Sequence, residues 1–298
     1  MANLKKIFRK ALRAIGEITR SPVTIDKWYG RLGNNIQQIS LAIMYAQKNK
    51  RRVITPEHQL IRAISHGKRK PFDDALTRKN RFFFFSESMQ PSIDVALSYE
   101  YVCNNIQRVV QEFIVPNLKF EIGEPFGQDV LVVHLRGGDI FDAADDINAD
   151  YVQNPLSFYE GLIGRFRKTI VVCEPGIKNP IVSILENNPA VTIQSSSIEA
   201  DFETLLRARN IATSGVGTFA IAAALCSRNL VNLFCTDRYL HEHLNPEMIR
   251  EARVHCLNIG DDYIKIGEWD GGIDKIDRML AYQVGKEYFA NIFGARLI

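Results

Sequence analysis

The sequence contains no long hydrophobic run. No stretch approaches the roughly 18 consecutive apolar residues that a membrane-spanning helix requires. Residues 1–19 are basic, but their apolar residues are spaced rather than continuous, which is unlike a secretory signal peptide. We therefore expect a cytoplasmic protein of bacterial type, with the inner face of the membrane as an alternative position.

Cysteine is scarce. The five cysteines are odd in number and form no Cys-x-x-Cys pair, which argues against a disulfide framework and against a zinc finger. Cys173 and Cys235 lie inside apolar runs that predict buried strands. The cysteines are therefore expected to be reduced thiols of the protein core, as in a reducing compartment.

Several catalytic and metal-binding patterns are also missing. There is no Gly-x-Ser-x-Gly nucleophile elbow and no phosphate-binding P-loop. The histidines of His241-Glu242-His243 are not spaced like the zinc ligands of common metal-binding helices. The acidic pairs Asp145-Asp146 and Asp261-Asp262 do not form an Asp-x-Asp pattern after a strand. No metal site is predicted.

Basic residues are concentrated near the N-terminus. Residues 1–80 contain 18 Lys and Arg against 5 Asp and Glu, whereas the remaining residues contain 19 against 29, although the net charge is only +3. Within residues 1–20, apolar residues recur at helical spacing and basic residues fill the other side, which predicts a basic amphipathic helix. Such a helix can lie on an anionic membrane or dock on its own domain, and the sequence favours neither.

Strands and helices are expected to alternate along most of the chain. Val23–Trp28, the helix Ile36–Asn49 and Arg51–Thr55 predict a βαβ unit. From Asp129 onward the alternation predicts a parallel sheet covered by helices on both faces. The predicted strands are Val130–Leu135, Thr169–Cys173, Ala190–Ile193, Asn210–Thr213 and Leu230–Cys235. The predicted helices are Ile93–Phe113, Leu156–Phe166, Pro180–Glu186, Ile198–Arg207, Thr218–Cys226 and one within Gly272–Phe293.

The fold class expected from this alternation is α/β. Two Rossmann-type domains are predicted, with a ligand-binding cleft between them. Residues 1–20 would form the basic helix, 21–125 an N-terminal α/β domain, 126–270 a Rossmann-like nucleotide-binding domain and 271–298 a C-terminal helix.

The first candidate site is the motif His134-Leu135-Arg136-Gly137-Gly138-Asp139, at the end of a predicted strand. Because side chains alternate along a strand, His134 and Arg136 are expected on the same side at its carboxyl end. The two glycines allow a sharp turn and the close approach of a ligand. The planar guanidinium of Arg136 suits a pyrophosphate, but it could equally form an ion pair with Asp139 that pins the turn.

The second candidate site is Thr213-Ser214-Gly215-Val216-Gly217-Thr218-Phe219, where a strand runs through small residues into a helix. Backbone N–H groups at the helix start, together with the hydroxyls of Ser214 and Thr218, would bind an anion. A tight strand-to-helix turn without a ligand would have a similar composition.

The same segment also fits the dinucleotide fingerprint Gly-x-Gly-x-x-Ala, at Gly215, Gly217 and Ala220, with Asp237 at the end of the next strand. This pattern offers an alternative function, an NAD-dependent oxidoreductase. The fingerprint normally opens its domain, however, and too little chain follows here to complete a six-stranded sheet. It also leaves the motif His134–Asp139 unexplained.

A third candidate site is Gly30-Arg31-Leu32-Gly33-Asn34-Asn35, before a predicted helix. Either asparagine can cap that helix, and the positive end of the helix dipole would favour a phosphate or a sugar oxygen. Turn chemistry alone would also explain these residues.

In this order, the three motifs resemble those of the α-1,2-, α-1,6- and protein-O-fucosyltransferase superfamily. Its members carry an early Gly-Arg-Leu-Gly-Asn-Gln type loop, a middle His-x-Arg-x-Gly-Asp loop and a late Asp-Phe-x-x-Leu segment followed by Ser-x-Ser-Thr-Phe. The corresponding segments here are Gly30–Asn34, His134–Asp139, Asp201–Leu205 and Ser214–Phe219, spread over about 190 residues. Two departures are Gly137, where the family has a bulky or basic residue, and the Asn-Asn that ends the early motif.

The resemblance implies a GT-B-like fold and metal-independent transfer of a sugar from GDP-fucose, without a cofactor. It implies that Arg136 holds the donor's β-phosphate, that His134 lies near the nucleotide and that Asp201 contacts the base or ribose. The implied donor-binding residues are His134, Arg136, Gly137, Gly138, Asp201, Ser214, Gly217, Thr218 and Phe219. Those implied at the acceptor side of the cleft are Gly30, Arg31, Gly33 and Asn34. Asp142, just after the arginine loop, is a candidate catalytic base.

The expected partners are a nucleotide-sugar donor and a glycan acceptor, with no nucleic acid. The basic N-terminal helix suggests a lipid-linked acceptor, as in the synthesis of a bacterial surface polysaccharide. A non-catalytic nucleotide-sugar-binding module is a further alternative, because it would need the same donor-binding residues.

Overall fold

The computed structural model of the chain describes residues 22–68, 78–80, 97–141, 147–176 and 178–293. The chain divides into two compact units, Met1–Lys119 and Phe120–Ile298. The predicted helix of residues 1–20 and the candidate base Asp142 lie outside the described residues. Within the described part, no helix combines the length and the apolar composition that crossing a membrane requires.

In its described residues, the first unit contains a small mixed sheet and two α-helices. Its strands are β1 (Val23–Ile25), β2 (Val53–Ile54), β3 (Ser65–His66) and β4 (Arg78–Asn80), and its helices are α1 (Leu32–Lys48) and α2 (Tyr99–Val109). Strand β1 pairs in parallel with β2 and β4, whereas β3 runs antiparallel to β2. Because α1 connects the parallel strands β1 and β2, the predicted βαβ unit is confirmed.

The second unit is built around a parallel sheet of six strands. The strands are β5 (Val130–Leu135), β6 (Lys168–Cys173), β7 (Val191–Gln194), β8 (Asn210–Ala212), β9 (Asn232–Thr236) and β10 (Arg253–Leu257). The helices are α3 (Leu156–Ile163), α4 (Pro180–Leu185), α5 (Ile198–Arg207), α6 (Phe219–Cys226), α7 (Ile273–Ala281) and α8 (Lys286–Phe293). The predicted α/β class with a parallel sheet is therefore confirmed for this unit.

The order of the strands is β10-β9-β8-β5-β6-β7. The first strand in the chain, β5, stands at the centre, the next two extend the sheet on one side, and the last three extend it on the other. This is the strand order of dinucleotide-binding Rossmann folds. The order places a topological switch point between β5 and β8.

The main core of this unit lies on one face of the sheet. Leu131, Val133 and Leu135 of β5 are at most 1% exposed and belong to a cluster that also includes residues of α3, α4, α7 and α8. On the other face, His134 packs against Phe219 of α6. Helices therefore cover β5 from both sides, which explains why its sequence is an almost continuous apolar run.

Strand β10 is absent from the sequence-based prediction. Its residues are exposed or half-buried, as expected for a strand at the edge of a sheet, so no apolar run marks it. Its five residues pair in parallel with β9. The sheet thus reaches six strands, although only two of them follow the turn at Gly215.

The C-terminal region forms two helices, not the single helix predicted within Gly272–Phe293. The break occurs at residues 282–285. There the Ser157 hydroxyl donates to the Tyr282 carbonyl at 2.7 Å and accepts the Val284 N–H at 3.0 Å. These bonds hold the chain in a non-helical conformation that is extended at Tyr282. Beyond the break, Phe289 of α8 packs in the core.

Candidate functional site

Two of the predicted motifs meet at the switch point of the six-stranded sheet. The motif His134–Asp139 includes the carboxyl end of β5, and Thr213–Phe219 follows the carboxyl end of the neighbouring strand β8. Open α/β sheets bind ligands in the crevice outside the carboxyl ends of the strands, at the point where the strand order reverses. The topology therefore brings the arginine loop and the small-residue turn to one candidate site.

The guanidinium of Arg136 lies over an aromatic ring. Its Cζ atom is 3.8 Å from the centroid of the Tyr151 ring, well within the range of a cation–π contact. Both side chains are half-buried. The ring supports one face of the guanidinium, whose N–H groups all lie in the guanidinium plane and point outward from its edge.

The main chain of the arginine loop is held by two side-chain hydrogen bonds. The Asn179 side chain donates to the Arg136 carbonyl at 2.8 Å while its Oδ1 caps α4. The buried Trp269 indole donates to the Ile140 carbonyl at 2.9 Å. Gly138 has φ +67°, and a Cβ at this position would lie 2.8 Å from Glu174 Oε2. The second glycine of the loop is therefore required by backbone conformation, whereas Gly137 is extended.

His134 links the end of β5 to the start of α6. Its ring lies 5.1 Å from that of Phe219, which in turn packs 5.4 Å from that of Phe202. Phe219, predicted to contact the donor, thus supports the histidine from its position at the beginning of α6.

The turn after β8 leads into the N-terminus of α6. Ser214 is buried, whereas Gly217, Thr218 and Phe219 are half-buried. The hydroxyl of Thr218 at the N-cap does not cap the helix, and the first turn carries no acidic residue. The first N–H groups of a helix have no partner within it and carry partial positive charge. This helix start can therefore attract an anion.

A segment outside the three sequence motifs, Tyr151–Asn154, joins the two halves of the site. Asn154 N–H donates to the Ser214 carbonyl at 3.1 Å, and Val216 N–H donates to the Val152 carbonyl at 3.0 Å. Its first residue, Tyr151, carries the ring beneath Arg136. The segment therefore fixes the position of the arginine support relative to the turn before α6.

The side chain of Asn154 anchors this segment to the sheet. It is fully buried, donates to the Thr213 carbonyl at 2.8 Å and accepts from the Thr236 hydroxyl at 2.6 Å. The Tyr159 hydroxyl donates to the same Thr213 carbonyl at 3.1 Å. These bonds satisfy polar groups at the ends of β8 and β9 that burial would otherwise leave unpaired.

Gly215 is required by the contact with this segment. It has φ +99°, and a Cβ there would lie 2.5 Å from the Val152 carbonyl oxygen and 3.1 Å from Asn154 N. At Gly215 the close approach is therefore made by the protein's own backbone. This also weakens the alternative of an NAD-dependent enzyme, because the dinucleotide fingerprint belongs after the first strand of such a sheet and this turn follows the fourth.

Asp201 lies in α5, which follows β7 at the edge of the sheet, two strands away from β5. Its carboxylate accepts hydrogen bonds from the Gln194 side chain at 3.0 Å and from Ser196 N–H at 3.4 Å. Burial raises the pKa of Asp201. Burial and then the nearby Asp201 carboxylate raise the pKa of Cys173, at the end of β6, to about 11. A contact between Asp201 and a nucleotide stays a prediction.

The loop after β9 reaches the same region as Arg136. Burial lowers the pKa of His243, and the Arg136 guanidinium lowers it further, while Glu242 acts in the opposite direction. His243 is not among the residues that the sequence predicts for the donor site. Among the described residues, no three His, Cys, Asp or Glu side chains lie close enough to hold a metal ion.

The early motif of the first unit differs from its predicted local structure. Helix α1 begins at Leu32 with Arg31 as its N-cap residue, so Asn34 and Asn35 lie inside the helix and the predicted cap is wrong. Gly30 has φ +64°, and a Cβ there would collide with the Asn34 side chain. The assignment of Gly30, Arg31, Gly33 and Asn34 to an acceptor site stays a prediction.

The buried amides of α1 hold the segment that precedes it. Asn35 Nδ2 donates to the Tyr29 carbonyl at 3.0 Å and its Oδ1 lies 3.1 Å from His58 Nε2. The Gln38 side chain accepts Tyr29 N–H at 2.9 Å and donates to the Lys27 carbonyl at 2.9 Å. The second asparagine of the motif is therefore engaged in local structure.

No protein-family model matches the chain, and no curated protein matches it in sequence. Among solved structures, the chain is similar to the protein O-fucosyltransferase POFUT1. The structure of POFUT1 in complex with GDP at high resolution has 10% identity and a TM-score of 0.40, covering 79% of this chain and 98% of that chain. A second crystal form with GDP has the same identity and TM-score, covering 79% and 99%. The complex with GDP-fucose has 10% identity and a TM-score of 0.38, covering 80% and 98%.

We predict that Gly215→Ala destabilises the second unit by about 2–3 kcal/mol, because the substitution adds a clash with Val152 to an unfavourable φ. Gly176→Ala is the matched control, since Gly176 also has a positive φ of +73° but nothing lies within 4 Å of its Cβ position. Its cost should be near 1 kcal/mol. Chemical denaturation of the full chain measures both free energies of unfolding. Equal losses for the two variants would contradict the requirement for glycine where residue 215 packs against the segment Tyr151–Asn154.

Proposed function

We propose that this protein is a metal-independent glycosyltransferase that moves fucose from GDP-fucose to a hydroxyl of a glycan acceptor. The single observation that carries the proposal is the meeting of the Arg136 loop and the N-terminus of α6 at the switch point of the sheet. A guanidinium and a helix N-terminus are the two protein groups best suited to a diphosphate. The motif resemblance, which places both groups on a donor diphosphate, supports the choice of reaction.

In the proposed reaction, Arg136 stabilises the departing diphosphate. Negative charge develops on the leaving group as the bond to the sugar breaks, and the sugar passes through an oxocarbenium-like state. A preorganised donor aimed at such charge contributes about 3–4 kcal/mol to the transition state. The N–H groups at the start of α6 add partial positive charge. Asp142 is the proposed base that accepts the proton of the acceptor hydroxyl.

The acceptor side of the proposal rests on the first unit and the N-terminus. Gly30, Arg31, Gly33 and Asn34 are proposed to contact the acceptor. The basic residues within 1–20 favour contact with an anionic membrane. A lipid-linked glycan in the synthesis of a bacterial surface polysaccharide, modified at the cytoplasmic side of the membrane, is the acceptor that fits this charge.

We predict that Arg136→Ala weakens GDP binding by at least tenfold, because a charge-assisted hydrogen bond contributes roughly 1.5–3 kcal/mol. Hydrolysis of GDP-fucose, with water as acceptor, should fall by roughly 100-fold or more. Calorimetry and GDP release measure the two effects. Arg165→Ala is the matched control, because its guanidinium also lies over a ring, that of Phe293. Arg165 precedes β6 and is therefore near the amino end of that strand, whereas the candidate site lies at the carboxyl ends.

An Arg136→Ala variant that retains both properties would contradict the proposed function. The same hydrolysis assay with EDTA tests metal independence, and activity that is lost on chelation and restored by a divalent ion would overturn it. Tight GDP binding by the wild-type protein without any turnover would favour the non-catalytic binding module.

We predict a smaller effect for Tyr151→Leu, which removes the ring under Arg136 but keeps an apolar side chain. A cation–π contact contributes about 0.5–2 kcal/mol, so the Kd for GDP should rise by roughly 2-fold to 30-fold. Tyr151→Phe keeps the ring and should bind GDP like the wild type. Equal binding by the Leu and Phe variants, at unchanged Tm, would show that the ring does not position the guanidinium.

We predict that GDP raises the Tm more than UDP, CMP, dTDP or NAD at equal concentration. A ligand at about 100 times its Kd stabilises the folded state by roughly 2.7 kcal/mol, which shifts the Tm of a unit of this size by about 2–4 °C per kcal/mol in a thermal-shift assay. A larger shift with another nucleoside diphosphate would replace the proposed donor. A shift with NAD alone would support the oxidoreductase.

A further inference from the structure

Two cysteines lie opposite each other on the two strands at one edge of the six-stranded sheet. In the parallel pairing of β9 with β10, Cys235 is the register partner of Cys256. Neighbouring strands are about 4.8 Å apart, and disulfides join Cα atoms that are about 4.4–6.8 Å apart. The backbone of the folded protein therefore already provides the spacing of a disulfide.

The side chains of this pair lie on the same face of the sheet. Register partners on parallel strands point the same way, as the stacked rings of the preceding pair, Phe234 and His255, show on the other face. The Cys235 thiol donates to the His255 carbonyl at 3.8 Å and lies beside the Cys256 thiol. Because the two side chains are neighbours on one face, their sulfur atoms can approach to a bond without a change in the strand pairing.

The two thiols differ in exposure and in acidity. Cys235 is fully buried, whereas Cys256 is exposed. The neighbouring Cys235 thiol lowers the pKa of Cys256, against the effects of burial and of the Asp237 and Glu247 carboxylates. The same pairing, together with burial, raises the pKa of Cys235 well above its usual range. The Cys256 sulfur is therefore the more reactive nucleophile, and the buried Cys235 thiol lies beside it on the neighbouring strand.

We infer that Cys256 and Cys235 form a dithiol site that a hydroperoxide oxidises to an intramolecular disulfide. The Cys256 thiolate attacks one peroxide oxygen, the O–O bond breaks, and the leaving alkoxide takes up the proton that Cys256 released. The Cys235 sulfur then attacks the sulfur of the resulting sulfenic acid, the S–O bond breaks, and the hydroxide leaves as water with the Cys235 proton. Two thiols and one hydroperoxide thus give one disulfide, one alcohol and one water.

The test is treatment of the folded, full-length protein with hydrogen peroxide, followed by denaturation and counting of free thiols. The count should fall from five to three, because the other three cysteines, Cys103, Cys173 and Cys226, are buried. Tryptic peptides 229–238 and 254–265 should appear as a cross-linked pair that has lost the mass of two hydrogen atoms. Dithiothreitol should restore both peptides.

Single variants separate the two steps of this oxidation. Cys256→Ser should keep all four of its thiols under the same treatment, and Cys235→Ser should accumulate a sulfenic acid on Cys256 that dimedone traps. Cys226→Ser is the matched control for a buried cysteine and should form the cross-link like the wild type. A wild-type protein that keeps five thiols, carries a sulfinic acid on Cys256 or forms disulfide-linked dimers would overturn the inference.

Discussion

The pairing of Val152–Asn154 with the turn after β8 is the constraint on which the candidate site depends. A parallel sheet ends in a row of polar main-chain groups, and groups that are buried must find partners. Here a neighbouring segment of chain supplies them, through its own backbone and through the fully buried Asn154 side chain. Tyr151 directly precedes these residues. The hydrogen bonds that satisfy the main-chain groups at the end of β8 therefore also position the ring under Arg136.

Several residues that the sequence predicted to bind the donor take part in building the site. Gly215, Ser214 and Asn154 are occupied by structural contacts, and Phe219 supports His134. The guanidinium edge of Arg136 and the N-terminus of α6 are the groups whose chemistry is directed at an anion. For this reason the proposed function rests on these two features and not on the number of glycines in the turn.

Much of the second unit could be predicted from the sequence, because its elements are marked locally. The apolar run Val130–Leu135 and the helix Ile198–Arg207, which follows the capping residue Ser197, have the predicted bounds. The start of α1 could not be predicted, since Arg31 forms no side-chain cap and the nearby asparagines suggested a later start. Strand β10 lacks an apolar run because an edge strand needs none.

The residues of the candidate site likewise divide into those that the sequence marks by a local pattern and those that it does not. Arg136 and His134 could be identified because they end a strand in a motif of specific chemistry. The segment Tyr151–Asn154 could not, because its role arises from partners 59 to 82 residues away in the chain, with which it shares no local pattern. The sequence places Gly215 in a small-residue turn and a dinucleotide fingerprint, but only the fold shows that the neighbour requiring this glycine is the chain itself.

The hydrogen bond from Trp269 to the Ile140 carbonyl joins residues that are 129 positions apart. Closing a chain loop of this length costs more conformational entropy than forming the local elements, so contacts of this kind are established late in folding. We therefore expect the sheet and its helices to assemble first and the arginine loop to acquire its final shape last, when Trp269 packs against it. The chemical group that defines the site would then be ordered by residues far from it along the chain.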